Sequence, residues 1–248
     1  MRYLVLSDIH ANLEALDAVL AAAPRQAFDR LLVLGDIVGY GADPNAVVER
    51  VRALAPDVVI RGNHDKVAAG VEPADGFNHA ARMAAIWTFD ALSAENRSFL
   101  TSLPPGPLVI DEQVEICHGS PDDEDEYIFE AVDAIEALRG TSRPVCFFGH
   151  THVAVAYWLS ATGFDMINVS PLESELRIEI VPDRRYLINP GSVGQPRDGD
   201  PRAAFAIFDS EAGVVTLARV PYDVSAAQSK IVNAGLPEGL ARRLALGK

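Results

Sequence analysis

Apolar runs of strand length recur along this chain of 248 residues, and several of them end in aspartate, asparagine or histidine. The run "YLVLSDIH" stops at Asp8 and His10, and "LLVLGD" stops at Asp36. Stretches with apolar residues at three- and four-residue spacing lie between the runs, such as "NLEALDAVLAAA" and "DPNAVVERVRALA". This alternation of strand and helix patterns indicates an α/β fold. Pro44 and Asp43 predict the first turn and the N-cap of the second helix.

The remainder of the chain predicts one more helical region and then mostly strands. Residues Phe77 to Leu100 have helical spacing, and "SLPPGP" after them is a break. "LVIDEQVEICHGS" predicts paired strands, and "EAVDAIEALRG" predicts a helix that ends at Gly140. Further strands are predicted in "RPVCFFGHTH", "VAVAYWLS", "LRIEIV", "RRYLINPGS", "AAFAIFD" and "VVTLARV", before a helical tail from Asp223. Because there is no repeat or linker, we expect one domain over residues 1–248, with two strand-rich halves packed face to face.

Charge and composition argue against several classes of partner. A net charge of −14 without a cluster of Lys and Arg disfavours a nucleic-acid polymer. The N-terminal run has the length of a strand, and no run reaches transmembrane length, so we expect a cytoplasmic protein without a membrane partner. Cys117 and Cys146 lie in apolar runs and are expected to be unpaired core thiols. The acidic run 122–126, "DDEDE", predicts a solvated loop, with an accessory cation site as the alternative.

Potential metal ligands follow five of the strand-like runs. They are Asp8, His10, Asp36, Asn63, His118, His150 and His152. Open α/β sheets place their binding sites at the carboxyl ends of strands. Residues two apart on an extended chain point to the same side, so the two members of each Asp-x-His or His-x-His pair can converge on one point. Five of the six histidines lie in these elements, and packing alone would place them there only by coincidence.

The donor types narrow the choice of metal. Imidazole, carboxylate and carboxamide donors without thiolate suit Mn, Fe, Co, Ni or Zn, of which we expect manganese, rather than a structural zinc site. Seven ligands exceed the needs of one ion and suit two divalent transition-metal ions about 3.5–4 Å apart that share a carboxylate. Such a pair lowers the pKa of a bound water from about 15.7 toward about 7 and serves in-line displacement at phosphorus.

The motif order resembles a known family. "DIH", "GDIVGYG", "GNHD", "HGS" and "GHTH" occur in this order between Asp8 and His152, as in the calcineurin-like metallophosphoesterases. "NPGSVGQPRDGDP", residues 189–201, resembles the glycine-rich segment of small bacterial, phosphodiesterase-like members. The resemblance implies a four-layer αββα sandwich in which two mixed β-sheets pack face to face and are flanked by helices. It also implies a metal-dependent phosphoric ester hydrolase.

The same resemblance implies roles for individual residues. Asp8, His10 and His152 would bind one metal ion, and Asn63, His118 and His150 the other, with Asp36 bridging. His64 matches the family's histidine that is not a ligand, and it would act as a general acid on the leaving group. Asn63 and His64 would also contact the substrate. Asp65 is predicted either to orient the His64 ring or to cap the turn.

One departure from the family affects the choice of substrate. Phosphoprotein phosphatases of this superfamily carry Asp-Arg-Gly after the "GD" aspartate, and their arginine clamps the phosphate. Gly39, Tyr40 and Gly41 stand there in this chain. The missing guanidinium removes a bidentate phosphate contact, which favours small nucleotide-like phosphodiesters or phosphomonoesters. Arg197 is a candidate replacement cation at the substrate, with an arginine of a surface turn as the alternative.

Other functions stay open at this point. A non-catalytic metal-binding scaffold of the same fold, like the retromer subunit that resembles this family, is one alternative. A dinucleoside polyphosphate hydrolase is another. Scaffold members commonly lack catalytic positions, whereas all seven ligands and His64 are present in this chain. A nuclease is disfavoured by the acidity and by the lack of a basic or aromatic groove. The oligomeric state is left open.

Overall fold

The computed structural model describes residues 1–24, 27–169 and 173–248, in which two six-stranded sheets are flanked by helices. The strands are β1 (Arg2–Leu6), β2 (Arg30–Val33), β3 (Val58–Val59), β4 (Leu108–Val109), β5 (Val114–Ile116), β6 (Val145–Phe147), β7 (Val155–Ser160), β8 (Gly163–Asn168), β9 (Glu175–Glu179), β10 (Arg185–Asn189), β11 (Ala203–Asp209) and β12 (Val214–Val220). The helices are α1 (Leu13–Ala22), α2 (Pro44–Ala53), α3 (Asn63–Ala69), α4 (His79–Ala91), α5 (Ala94–Thr101), α6 (Ala131–Gly140), α7 (Val224–Asn233) and α8 (Glu238–Leu244).

Both sheets are mixed. The first has the strand order β3-β2-β1-β11-β12-β9, and the second has the order β4-β5-β6-β10-β7-β8. In the first sheet β1 is parallel to β2 and antiparallel to β11. In the second sheet β10 is parallel to β6 and antiparallel to β7. The sheets do not correspond to the two halves of the chain, because β11 and β12 return to pair beside β1.

Four layers follow from where the apolar side chains lie. The two sheets share a core in which the rings of Phe147 and Phe208 lie 6.2 Å apart. Helices α1 and α2 cover the outer face of the first sheet through residues such as Leu16 and Val47. Helix α6 covers the outer face of the second sheet, where Leu138 belongs to the buried cluster. This arrangement confirms the predicted αββα sandwich.

Several local elements differ from the sequence-based expectation. Helix α3 and strand β8 were not predicted, and the region from Phe77 to Leu100 is two helices rather than one. Asp43 occupies the N-cap of α2, but its side chain makes no capping hydrogen bond and instead accepts one from Lys230 (2.6 Å). Cys117 and Cys146 are buried and free, as expected. Within the described residues, no helix is long and apolar enough to cross a membrane.

Candidate metal centre

The seven predicted ligands meet at one edge of the sandwich because they follow parallel strands. Asp8 and His10 come after β1, and Asp36 comes after β2. Asn63 opens α3 just after β3, His118 follows β5, and His150 and His152 follow β6. Strands β1, β2 and β3 run parallel, as do β5 and β6, so their carboxyl ends converge on the same edge.

The donors fall into two sets that share one carboxylate. Asp8, His10, Asp36 and His152 offer ligand atoms that all lie within 4.8 Å of one another, and so do Asp36, His118 and His150. All of these side chains are buried. Asn63 joins the second set, because its Oδ1 lies 3.4 Å from Nε2 of His118.

Asp36 lies between the two sets. Its Oδ1 accepts a hydrogen bond from the main-chain N–H of His64 (2.9 Å). Its Oδ2 lies 3.5 Å from Nε2 of His10 and 3.5 Å from Nε2 of His118. That oxygen is buried and has no hydrogen-bond partner among the described residues. One carboxylate oxygen is therefore equidistant from one imidazole of each set.

Main-chain carbonyls fix which histidine nitrogen faces the centre. Nδ1–H donates to a carbonyl in three cases: His10 to Val38 (3.0 Å), His118 to Leu34 (2.8 Å) and His152 to Gln195 (2.7 Å). A nitrogen that faces a carbonyl oxygen must carry a proton, which in the neutral ring leaves the Nε2 lone pair for a metal ion. Metal-binding histidines are commonly oriented in this way.

The charges at the site also suit cations. Burial lowers the pKa of His10 and of His152 well below the ordinary value, so both rings are neutral donors at pH 7. Burial also lowers the pKa of His118, but the carboxylates of Asp36 and Asp8 outweigh this effect and raise it to about 10. Nε2 of His150 is buried without a hydrogen-bond partner in the described part of the chain. Orphaned buried polar atoms and an attraction for positive charge fit divalent ions at this centre.

Left-handed backbone conformations cluster at the centre. Five of the seven predicted ligands have positive φ: Asp8 (54°), His10 (49°), Asp36 (51°), His150 (67°) and His152 (61°). For residues other than glycine this conformation costs on the order of 1–3 kcal/mol, and it is found where a side chain must be aimed for function. The loops therefore orient these donor side chains through backbone conformations that are locally unfavourable.

Two glycines allow the loops to approach each other. A Cβ on Gly62 would lie 2.1 Å from Oδ1 of Asp36, and a Cβ on Gly149 would lie 2.0 Å from Oγ of Ser7 and 2.9 Å from Oδ2 of Asp8. Ser7 donates a hydrogen bond to that same Asp8 oxygen (2.6 Å). Only residues without a side chain fit between these donors.

His64 and Asp65 have separate surroundings. The His64 ring packs against Tyr40 (centroids 4.3 Å apart) and Phe77 (4.5 Å), and burial lowers its pKa to about 4. Asp65 accepts hydrogen bonds from the main-chain N–H groups of Val38 (3.1 Å) and Gly62 (3.0 Å). These bonds are those of the turn-capping alternative rather than of a carboxylate that orients the His64 ring.

A cleft opens from the centre, and sequence reasoning missed much of its wall. The cleft encloses about 740 Å³, including solvent at its mouth, and is lined by Tyr40, Asn63, His64, Phe77, Tyr127 and His150 among others. The ring of Tyr127 lies 3.8 Å from that of His150. No local pattern in the sequence could have placed Phe77 and Tyr127 here, because both lie in connecting segments.

Two further predictions are changed by the structure. Arg197 is half-buried, and its Nη2 donates to Oη of Tyr40 (3.3 Å), a residue that lines the cleft, so it is not an arginine of an isolated surface turn. The run 122–126 is a loop whose residues are exposed, as predicted, except for Glu124, which is half-buried and accepts hydrogen bonds from Arg61 (2.7 Å) and Lys66 (3.1 Å). Asp125 also binds Lys66 (2.6 Å), so basic side chains neutralise the centre of the run.

Comparisons with known proteins agree with the motif resemblance. A family described as "Calcineurin-like phosphoesterase superfamily domain" matches residues 1–213. The uncharacterized protein MJ0912 of Methanocaldococcus jannaschii is 40% identical over 251 residues, which cover 98% of this chain and 97% of that protein. Phosphodiesterase YfcE of Escherichia coli K12 is 26% identical over 220 residues, which cover 85% of this chain and 89% of that protein. The crystal structure of a metallophosphoesterase from Sphaerobacter thermophilus is similar with a TM-score of 0.87 and 43% identity, covering 100% of this chain and 99% of that one.

Proposed function

The chain belongs to the calcineurin-like phosphoesterase superfamily, and on that premise we propose that it hydrolyses small, nucleotide-like phosphodiesters or phosphomonoesters at a site for two divalent metal ions. The family match confirms the predicted enzyme class of a metal-dependent phosphoester hydrolase. The observation that carries the two-ion proposal is the pair of buried donor sets that share Asp36.

The proposal gives each donor set one ion. Asp8, His10 and His152 would hold the first, Asn63, His118 and His150 would hold the second, and Asp36, which belongs to both sets, would serve both. Bound divalent ions supply an activated water and neutralise charge on the phosphoryl oxygens.

His64 is proposed to donate a proton to the leaving group. Its ring lines the same cleft as Asn63 and His150. Burial lowers its pKa to about 4 in the substrate-free protein, so the ring is neutral at pH 7. An anionic substrate acts to raise the pKa of a nearby imidazole and bound divalent ions act to lower it, so the proton-donating role requires the substrate's charge to outweigh that of the ions at His64.

The residue at position 40 supports a small substrate. Tyr40 brings no positive charge to the position at which phosphoprotein phosphatases carry their clamping arginine. The net charge of −14 disfavours a nucleic-acid polymer as substrate. Manganese, with Fe, Co, Ni and Zn as alternatives, and a cytoplasmic location remain predictions from the sequence.

Turnover by the manganese-loaded protein tests the proposal. We compare bis-p-nitrophenyl phosphate, p-nitrophenyl phosphate, 2′,3′- and 3′,5′-cyclic nucleotides and a phosphopeptide by kcat/KM. One charge-assisted contact is worth about 10–100-fold, so we expect kcat/KM for the diester to exceed that for the phosphopeptide by at least this factor.

Two variants are the controls for this assay. His118→Asn should abolish turnover, whereas His79→Asn, at an exposed position on α4, should not change it. Equal kcat/KM for diester and phosphopeptide would contradict the substrate class, and no turnover of any ester would contradict the proposed function.

A further inference from the structure

Arg197 lies beside Tyr40, which lines the cleft, and has no carboxylate partner among the described residues. Its main-chain N–H donates to the carbonyl of His152 (3.1 Å), which fixes it beside a candidate ligand. Its Nη2 donates to Oη of Tyr40 (3.3 Å) and to Oε1 of Gln195 (3.1 Å). Its Nε is buried and has no hydrogen-bond partner in the described part of the chain. The guanidinium therefore keeps donor capacity that the protein does not use.

The acidic neighbours of Arg197 in the sequence are engaged elsewhere. Asp198 accepts a hydrogen bond from Arg219 (3.1 Å), and Asp200 accepts one from Nε of Arg202 (3.0 Å). In a chain with a net charge of −14, carboxylates to neutralise Arg197 are abundant, yet those nearest in sequence pair with other arginines. A partly buried charge without a counter-ion is unfavourable, so this arrangement is suited to an incoming anion.

A second guanidinium shares the same aromatic ring. Arg243, on α8, has its guanidinium carbon 5.9 Å from the centroid of the Tyr40 ring, and that of Arg197 lies 5.6 Å from it. Nε of Arg243 donates to the main-chain oxygen of Lys248. Burial lowers the pKa of Arg243, and the positive charge of Arg197 lowers it further. Two like charges are thus held close together around one tyrosine.

The two arginines differ in their distance from the metal centre. Arg197 is tied to the first donor set by hydrogen bonds, because its main-chain N–H donates to the carbonyl of His152 (3.1 Å) and its Nη2 donates to Gln195, whose own carbonyl holds Nδ1 of His152 (2.7 Å). Arg243 reaches the centre through Tyr40, whose ring centroid lies 5.9 Å from the Arg243 guanidinium carbon and 4.7 Å from the centroid of the His10 ring. The positive groups therefore form a series that leads from the centre through Arg197 to Arg243.

From these contacts we propose that Arg197 and Arg243 form a subsite for a second phosphoryl group of the substrate. The substrate class is then a nucleotide-like compound in which two or more phosphoryl groups are linked in a chain. The inference rests on the proposed function, since it requires that the adjacent, scissile phosphoryl group lies at the metal centre. Guanidinium groups suit this task because their planar donors match phosphate oxygens in pairs.

The test uses two probes that differ by one phosphonate group. Methylphosphonate and methylenediphosphonate are titrated into the manganese-loaded protein by calorimetry, and each is also assayed as an inhibitor of bis-p-nitrophenyl phosphate turnover. Both probes bind metal, so the informative quantity in each variant is a ratio: the dissociation constant of methylphosphonate divided by that of methylenediphosphonate. A high ratio means a preference for the probe with two phosphonate groups. We expect this ratio to fall about tenfold in Arg197→Gln and in Arg243→Gln, since each variant loses one charge-assisted contact.

Two matched variants separate charge from structure. Arg242→Gln removes the neighbouring arginine on α8, whose side chain is 73% exposed and pairs with Glu238, and it should leave the ratio unchanged. Arg243→Lys keeps the positive charge and should retain part of the preference for methylenediphosphonate. An unchanged ratio in both glutamine variants would overturn the subsite. A protein that shows the arginine-dependent preference but hydrolyses no ester would retain the subsite and lose the proposed function.

Discussion

The orientation of individual side chains at the metal centre is determined by hydrogen bonds as much as by burial. The Nδ1–H of His118 is held by the carbonyl of Leu34, and one oxygen of Asp36 is held by the main-chain N–H of His64. In each case the bond fixes one polar atom of the side chain and turns the other toward the centre. Oδ2 of Asp36 has no hydrogen-bond partner among the described residues, and Nε2 of His118 faces that oxygen (3.5 Å) and Oδ1 of Asn63 (3.4 Å). This convergence of donor atoms on one small volume suits metal binding.

His64 is the residue whose role is most readily separated from metal binding. We expect His64→Asn to leave the metal content nearly intact and to slow turnover of an ester with an alkyl leaving group by about 10²–10⁴-fold, the usual range for general acid catalysis. The loss should be much smaller for nitrophenolate, which departs as an anion without protonation. The measurement is kcat/KM on the two esters together with elemental analysis.

His118→Asn is the matched comparison for that variant. It should lower the metal content and slow both esters alike, because His118 belongs to a donor set. Loss of metal in His64→Asn, or an equal loss of rate on both esters, would instead make His64 a ligand or a contact to the bound phosphate.

Among the secondary-structure elements, the loops that follow the strands, rather than the strands themselves, bring the metal-donor side chains together. The strands that carry them are short, and the segment after β6 passes so close to the one after β1 that Gly149 lies against Ser7 and Asp8. Asp8 Oδ1 and Oδ2 lie 3.3 Å and 3.2 Å from the main-chain nitrogen of His150, which donates to this carboxylate. The donor geometry thus depends on close packing between main chains.

Gly149→Ala tests that dependence. The added methyl group would displace Ser7 and the Asp8 carboxylate, so we expect a loss of about 1–3 kcal/mol in the free energy of unfolding. Manganese affinity should weaken as well. Gly76→Ala is the control, because no atom lies within 4 Å of a Cβ at that position. Urea denaturation and manganese titration measure both effects, and a Gly149→Ala protein that behaves like the control would contradict the close-packing explanation.

The sequence predicted the strands that lead into the site because each is an apolar run with a polar end. It did not predict α3, because seven residues are too few for a helical period to stand out. Strand β8 was missed because its side chains are mostly exposed or half-buried and lack a clear alternation. The approach of Arg243 to Tyr40 could not be predicted, since it depends on how α8 packs about 200 positions along the chain from residue 40.

At the scale of the whole molecule, the fold explains how an acidic protein can bind anions. The net charge is −14, yet Glu124 and Asp125 beside the cleft are engaged by Arg61 and Lys66. Positive charge is concentrated around Tyr40, and the donor sets would add divalent ions next to it. The αββα sandwich places both at the same edge, so the local potential can differ in sign from that of the whole surface.

The number of metal ions per chain tests the central claim most directly. Elemental analysis of the protein during stepwise loading with Mn²⁺, with activity followed in the same samples, should show that activity saturates only as binding approaches two equivalents. Asp36→Ala should weaken binding at both sites, whereas Asp8→Ala should mainly affect one, because only Asp36 belongs to both donor sets. Full activity at one equivalent, with no second ion bound, would contradict the two-ion account.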